Sequence, residues 1–217
     1  MALAMVFGNP CVQGAEPPNT QTSTNAADAA LMENAVPKAQ LWDSEPGDGF
    51  RPGVQSFTFG VAGAYGLKSF GSHQSHDLGL ASLEYGRMIG PVLGKRYGFR
   101  GNFEARIELF GGAQLSPERD WLAGLTPHLR YNFATGTRWV PFFDLGAGVS
   151  GTGIGPPDLS GTFEFNLQAG VGVHRFLRDN LALTLEGRYL HLSCAGLSNP
   201  NSGLNAVLAM VGVTWFF

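Results

Sequence analysis

Leu181-Ala-Leu-Thr-Leu-Glu-Gly-Arg-Tyr-Leu-His-Leu-Ser193 decides the fold. Leu181, Leu183, Leu185 and Tyr189 occupy odd positions, and Thr184, Glu186 and Arg188 occupy even ones. A period of two means a β-strand with one apolar and one polar face. The odd face continues into His191 and Ser193, an imidazole and a hydroxyl on the side that is otherwise apolar. The final segment repeats the pattern: Val207, Ala209, Val211, Val213, Trp215 and Phe217 share a face that opens with Asn205. Three polar groups at one end of two neighbouring apolar faces point to chemistry, because polar groups on such a surface carry a cost.

Working outward, the bulk properties narrow the class. The chain has 217 residues, 14% charged side chains, 31 glycines and a net charge of −3. That size suits one domain and a tail, and the charge gives no basic footprint for nucleic acid. No apolar run approaches the roughly 20 residues of a transmembrane helix, so only a barrel could span a bilayer. The start, MALAMVFGNPCVQGAEPP, has a short apolar segment and small residues before Ala15 but no basic n-region. It reads as an export-signal remnant, and residues 1–52 as that remnant plus a flexible lead-in rich in Ala, Asn, Pro and Thr. Cleavage would remove Cys11 and leave Cys194 without a disulfide partner.

Residues 53–217 give eight alternating segments, the expected strands of an antiparallel transmembrane β-barrel. Phe57, Phe59, Val61 and Tyr65 share the first apolar face; the second segment, Leu78 to Met88, alternates poorly. Phe103, Ala105, Ile107 and Leu109 oppose Asn102, Glu104, Arg106 and Glu108 in the third. Leu129, Tyr131 and Phe133 oppose His128, Arg130 and Asn132 in the fourth. The fifth sets Trp139, Phe143, Leu145, Ala147 and Val149 against Asp144 and Ser150. The sixth sets Phe163, Phe165, Leu167, Ala169, Val171 and Val173 against Glu164, Asn166 and Gln168. Pro127 and Pro141 fall inside these segments, where a missing donor is awkward.

A soluble barrel would turn its polar face outward, whereas an outer-membrane barrel turns it inward, and eight strands enclose just enough room for side chains. Aromatics near strand ends, a terminal Phe217 behind alternating apolar residues, and alternating connection lengths favour the membrane. Leu67 to Asp77, Gly112 to Leu122, Gly151 to Gly161 and Cys194 to Gly203 read as long loops; Ala134 to Arg138 and Leu177 to Asn180 read as short turns. Gly90 to Gly98 is longer than that scheme expects. Short turns belong to the periplasmic side, which puts His191 and Ser193 at the outer end of their strand, facing outer-leaflet lipid. Glu104, Arg106, Glu108, Arg130, Glu164, Glu186 and Arg188 should then point into the lumen and pair there.

Residues two apart on a strand lie on one face about 6.6 Å apart, within reach of an imidazole acting on a hydroxyl. Asn205, on the adjacent strand and the same face, can orient that imidazole. Here RYLHLSCAGLSNPNSGLN, followed by an apolar strand, resembles the end of the outer-membrane lipid A 3-O-deacylases. These are eight-stranded barrels with a His-x-Ser-Asn-Ala-Gly signature, an Asn-Pro-rich loop and a Ser-His-Glu triad. The clear match covers about the last thirty residues. The resemblance implies Ser193 as nucleophile, His191 as general base, Asn205 in place of the orienting Glu, and Asn201 with the backbone amide near Gly196 as oxyanion donors. Cys194 stands where the signature has Asn. An amide in the third position can leave the wrong imidazole tautomer, though Cys-His-Asn enzymes work with one. On this reading Asn205→Glu is expected to raise the rate.

Other motifs carry less. Gly146-Ala-Gly-Val-Ser-Gly151 matches a dinucleotide fingerprint but runs into Gly155-Pro-Pro, with no helix after it. His73 and His76 have loop spacing for a metal but no acidic partner in sequence, so a solvated loop is expected. The chain therefore reads as an outer-membrane serine esterase acting on lipid A of lipopolysaccharide, with membrane lipid around it and no metal or cofactor implied. The alternatives are a non-catalytic barrel for structure or adhesion, and a pore, which a filled interior opposes.

Overall fold

In a computed structural model, which describes residues 50–94, 99–160 and 162–217, the alternation becomes eight antiparallel strands. They are β1 (Gln55–Gly66), β2 (Asp77–Leu93), β3 (Gly101–Ser116), β4 (Asp120–Phe133), β5 (Trp139–Thr152), β6 (Phe163–Arg178), β7 (Leu181–Ser193) and β8 (Leu204–Phe216). Each pairs with its sequence neighbour, and β8 returns to β1 through Phe57↔Trp215 and Val61↔Val211, closing the barrel. Closure removes every sheet edge, as hydrocarbon demands. The export-signal remnant, Cys11 and nearly all of the lead-in lie outside the described residues.

On every strand the even-numbered residues turn inward and the odd-numbered ones outward. Phe59, Leu109, Leu167 and Val171 are each more than half exposed on the outer wall. A continuous apolar surface of this kind is favourable only against lipid tails. Near the short turns, paired aromatics form a girdle: Phe57 opposes both Tyr85 and Trp215, and Phe103 opposes Tyr131. Among the described residues no helix is long and apolar enough to cross a membrane; the crossing is made by strands.

The interior is layered. A central belt joins Arg106 to Glu84 and Asp144, Arg130 to Asp144 and Glu186, and Arg188 to Glu84, Glu108 and Glu186. His128 has one ring nitrogen against Asp144 and the other against Glu108. Charged groups taken out of water thus meet opposite charges, which offsets their desolvation. Above the belt, toward the long loops, the lumen is filled by Leu78, Phe110, Leu122, Leu159, Leu192 and Leu204. Below it, Phe50, Val140, Phe176 and Phe216 close the opposite end.

Three expectations are corrected. Gly112 to Leu122 is not a long loop: β3 and β4 continue until only residues 117–119 connect them. Gly112 serves the strand, because a Cβ on it would stand 2.0 Å from the Gly79 carbonyl oxygen of β2. The lumen is also not uniformly polar, since even positions such as Leu190, Leu192 and Leu204 supply its outer apolar layer. Lastly, Glu104 is bound to Ser56 and Asn132 in place of an Arg, and neither carboxylate oxygen of Glu164 has a hydrogen-bond partner among the described residues, although all seven predicted lumen groups are buried.

Candidate active site on the outer wall

The β7–β8 register sets His191 directly opposite Asn205. Opposed residues on an antiparallel pair share a face with their Cβ atoms about 5 Å apart, which suits a direct side-chain bond. His191 Nδ1 lies 2.8 Å from Asn205 Oδ1, and the Tyr189 hydroxyl donates to the same oxygen at 2.6 Å. Asn205 Nδ2 donates to the Ser69 carbonyl at 2.8 Å. That last bond fixes the amide: its nitrogen faces a carbonyl, so its oxygen faces the ring. In the neutral ring Nδ1 of His191 therefore carries the proton and Nε2 does not.

Asn205 differs from expectation in one respect. It lies on the outward side but is fully buried, because the loop joining β1 to β2 folds over it: Leu67 N donates to the Asn205 carbonyl and Ser69 caps its side chain. His191 and Ser193 remain half-buried at the edge of this cover. The cover bears directly on Asn205→Glu. A carboxylate would turn an oxygen toward the Ser69 carbonyl and need room for an extra methylene in a closed slot.

Ser193 opposes Phe165 of β6, and His191 opposes Leu167. Among the described residues, no hydrogen bond joins Ser193 Oγ to His191; catalytic bonds are often loose until substrate binds. Asn201 Oδ1 accepts the N–H of Cys194, the residue after Ser193, at 3.0 Å. Asn201 Nδ2 has no partner among the described residues. Gly196 is exposed in a turn whose Ala195 and Gly196 both have positive φ. Cys194 points inward and is buried; hydrogen bonds led by the Ser198 hydroxyl, with the Gly196 N–H among them, hold its thiol below the ordinary range.

Beside Ser193 the outer wall is hollow. A cleft of about 430 Å³ is lined by Ala147, Val149, Phe165, Leu167 and Ser193. It shares Ala147 and Leu167 with a second cleft that runs past Ala169 to Pro127, Leu129 and Tyr189. Small outward side chains at Ala147 and Ala169 make the floor, and larger neighbours make the walls. At the same place the β4–β5 ladder skips Thr126 and Pro127 between Leu125↔Val149 and His128↔Gly146, where proline has no donor to offer.

Of the two loop histidines His73 is exposed and His76 is buried. Both bind Asp158, His73 Nδ1 at 2.9 Å and the buried His76 through Nε2 at 2.9 Å. Among the described residues no group of three or more His, Cys, Asp or Glu has the arrangement of a metal site. Tyr189, Ser69 and Asp158 were not singled out by sequence. Tyr189 offered a signal, a hydroxyl on the His191 face two residues earlier; the two loop residues offered none.

Fold and site together define an eight-stranded outer-membrane β-barrel with a Ser, His and Asn cluster on its outer wall. The sequence profile of the family described as lipid A 3-O-deacylase (PagL) matches residues 94–214, and the chain belongs to that family. The crystal structure of the outer membrane enzyme PagL superposes with a TM-score of 0.54 at 20% identity, covering 70% of this chain and 97% of that one. Neisserial surface protein A does so with a TM-score of 0.54 at 16% identity, covering 76% and 99%. No curated protein matches the chain.

Proposed function

We propose that this barrel is a serine ester hydrolase that removes an ester-linked acyl chain from lipid A. The observation that carries the proposal is the Asn205 amide, held by Ser69 so that it presents its oxygen to His191 Nδ1. Ser193 Oγ attacks the ester carbonyl carbon while His191 Nε2 takes its proton. The tetrahedral oxyanion is met by Asn201 Nδ2, with a loop backbone amide near Gly196 as second donor. The intermediate collapses, the ester C–O bond breaks, and His191 returns the proton to the departing sugar oxygen. Water, activated by the same imidazole, then releases the fatty acid and restores Ser193. The apolar cleft beside Ser193 suits the hydrocarbon of the acyl group.

Mass spectra of lipid A from cells with the protein, without it, and with Ser193→Ala test this directly. Loss of one acyl mass only with the intact protein is expected. Unchanged lipid A in all three would leave a barrel serving structure or adhesion. The missing Ser193–His191 bond and the equal likeness to Neisserial surface protein A favour that second reading.

A further inference from the structure

Asp158, in the loop joining β5 to β6, is buried and binds two other loops at once. Its Oδ1 accepts from His73 N at 2.6 Å and His73 Nδ1 at 2.9 Å; its Oδ2 accepts from Gln74 N at 2.8 Å and His76 Nε2 at 2.9 Å. Its main-chain carbonyl accepts from Ser202 N and Gly203 N, both at 3.0 Å. His76 is itself closed in. Its Nδ1 faces Gln114 Oε1 at 2.7 Å, and the Gln114 amide is fixed because its nitrogen donates to the Glu118 carbonyl. Both ring nitrogens of His76 therefore face acceptor oxygens, one of Gln114 and one of the Asp158 carboxylate. Burial pushes the Asp158 carboxyl up, but the N–H groups of His73 and Gln74 and the His76 ring outweigh it and leave the group below its ordinary range.

Two short paths lead from Asp158 to the site. One runs through Gly203, held by the Asp158 carbonyl and packed so tightly on the imidazole that a Cβ there would stand 2.9 Å from His191 Cε1. The other runs through the loop joining β1 to β2. Asp158 grips it at His73 and Gln74, Ser72 N donates to the Ser69 carbonyl, and that carbonyl holds the Asn205 amide. Neither path is needed to close the barrel, whose strands pair without the loops.

We propose that Asp158 is a positioning residue for the His191–Asn205 pair, fixing the direction and tautomer of the imidazole through two loops without touching substrate. The proposal rests on the roles given above to His191 and Ser193. It assigns the buried carboxylate and its imidazole partner a task in the reaction and not in barrel assembly.

The test uses the full chain folded in detergent micelles. Asp158→Asn replaces one acceptor oxygen by an NH₂ that must face donors, and His76→Leu removes the ring nitrogen that meets Asp158 Oδ2. Nitrogen-15 NMR of the imidazoles, with His191 assigned by His191→Gln, reads the tautomer; lipid A turnover reads kcat and KM separately. Expected are a single Nδ1–H tautomer in the wild type, mixed tautomers in both variants, and kcat lower by about tenfold or more with KM little changed, as for a misheld triad imidazole. His76→Gln, which keeps a donor toward Asp158, should recover part of the loss. If Asp158→Asn fails to assemble, the two His76 variants decide by the same readings. An unchanged His191 tautomer and unchanged kcat in the variants would overturn the proposal. A wild type with the single tautomer but no action on lipid A would instead overturn the catalytic reading and leave the positioning role standing.

Discussion

The hydroxyl of Tyr189 and the imidazole of His191 converge on one atom, Asn205 Oδ1, at 2.6 and 2.8 Å. A neutral oxygen shared by two donors is a weaker stabiliser of imidazolium than a carboxylate, but it is a precise one, since the Ser69 carbonyl prevents the amide from flipping. Tyr189→Phe keeps the ring and removes one donor. Its effect on kcat should stay within about tenfold, the usual worth of one neutral hydrogen bond.

Asn205→Asp and Asn205→Glu should lower activity, reversing what the sequence alone suggests. Either carboxylate would face the Ser69 carbonyl in a closed slot. Asn205→Ala, which frees the ring, should cost about 10²-fold or more in kcat. Deacylation rates on purified lipid A rank the three variants; a Glu variant faster than wild type would show that the covering loop gives way.

Ser193→Ala and His191→Ala should each abolish deacylation, and the double variant should be no worse than either alone, because nucleophile and base act as a unit. Neither residue packs the interior, so the shift in gel mobility on boiling, which reports a closed barrel, should be unchanged in all three proteins.

Ala147→Phe should fill the cleft beside Ser193. The KM for lipid A is expected to rise severalfold while hydrolysis of a short ester such as p-nitrophenyl butyrate proceeds as before. Equal loss on both substrates would place the hollow outside the acyl path.

Arg130→Ala tests the central belt. It removes the partner of Asp144 at 2.8 Å and of Glu186 at 2.9 Å, and the cation over the Phe142 ring at 3.6 Å. Asp144 keeps Arg106 and His128, and Glu186 keeps Arg188, so the loss should sit at the low end of the about 3–5 kcal/mol that breaking a buried pair costs. Urea unfolding in micelles should show a loss of that size with the site's activity retained under folding conditions.

The wall of this protein could be read from sequence because lipid and lumen impose a strict period of two: Leu183, Leu185 and Tyr189 against Thr184, Glu186 and Arg188 leave one register. The same parity put His191, Ser193 and Asn205 on one side. What parity does not encode is contact made by loops. Ser69 acts through its main-chain carbonyl, Asp158 through a carboxylate and a carbonyl that reach two other loops, and Gly203 through a missing side chain, and none of these leaves a pattern in the residue order. Gly112 misled in the opposite sense, since glycine demanded by a neighbouring strand looks like glycine demanded by a turn. The apolar outer layer had left a trace in Leu190 and Leu192, even-numbered residues that break the alternation just before the site.

The two apolar plugs have a consequence for traffic. Leu122, Leu192 and Leu204 stop the lumen at one end, and Phe50, Phe176 and Phe216 stop it at the other. Among the described residues the charged belt lies between these two apolar layers. On the proposed mechanism, water for the second half of the ester hydrolysis would then come down the outer wall from the headgroup layer. The proposed turnover would then be set by how wet that layer is, so divalent cations, which draw neighbouring lipopolysaccharide headgroups together, should slow deacylation without ever binding to the protein.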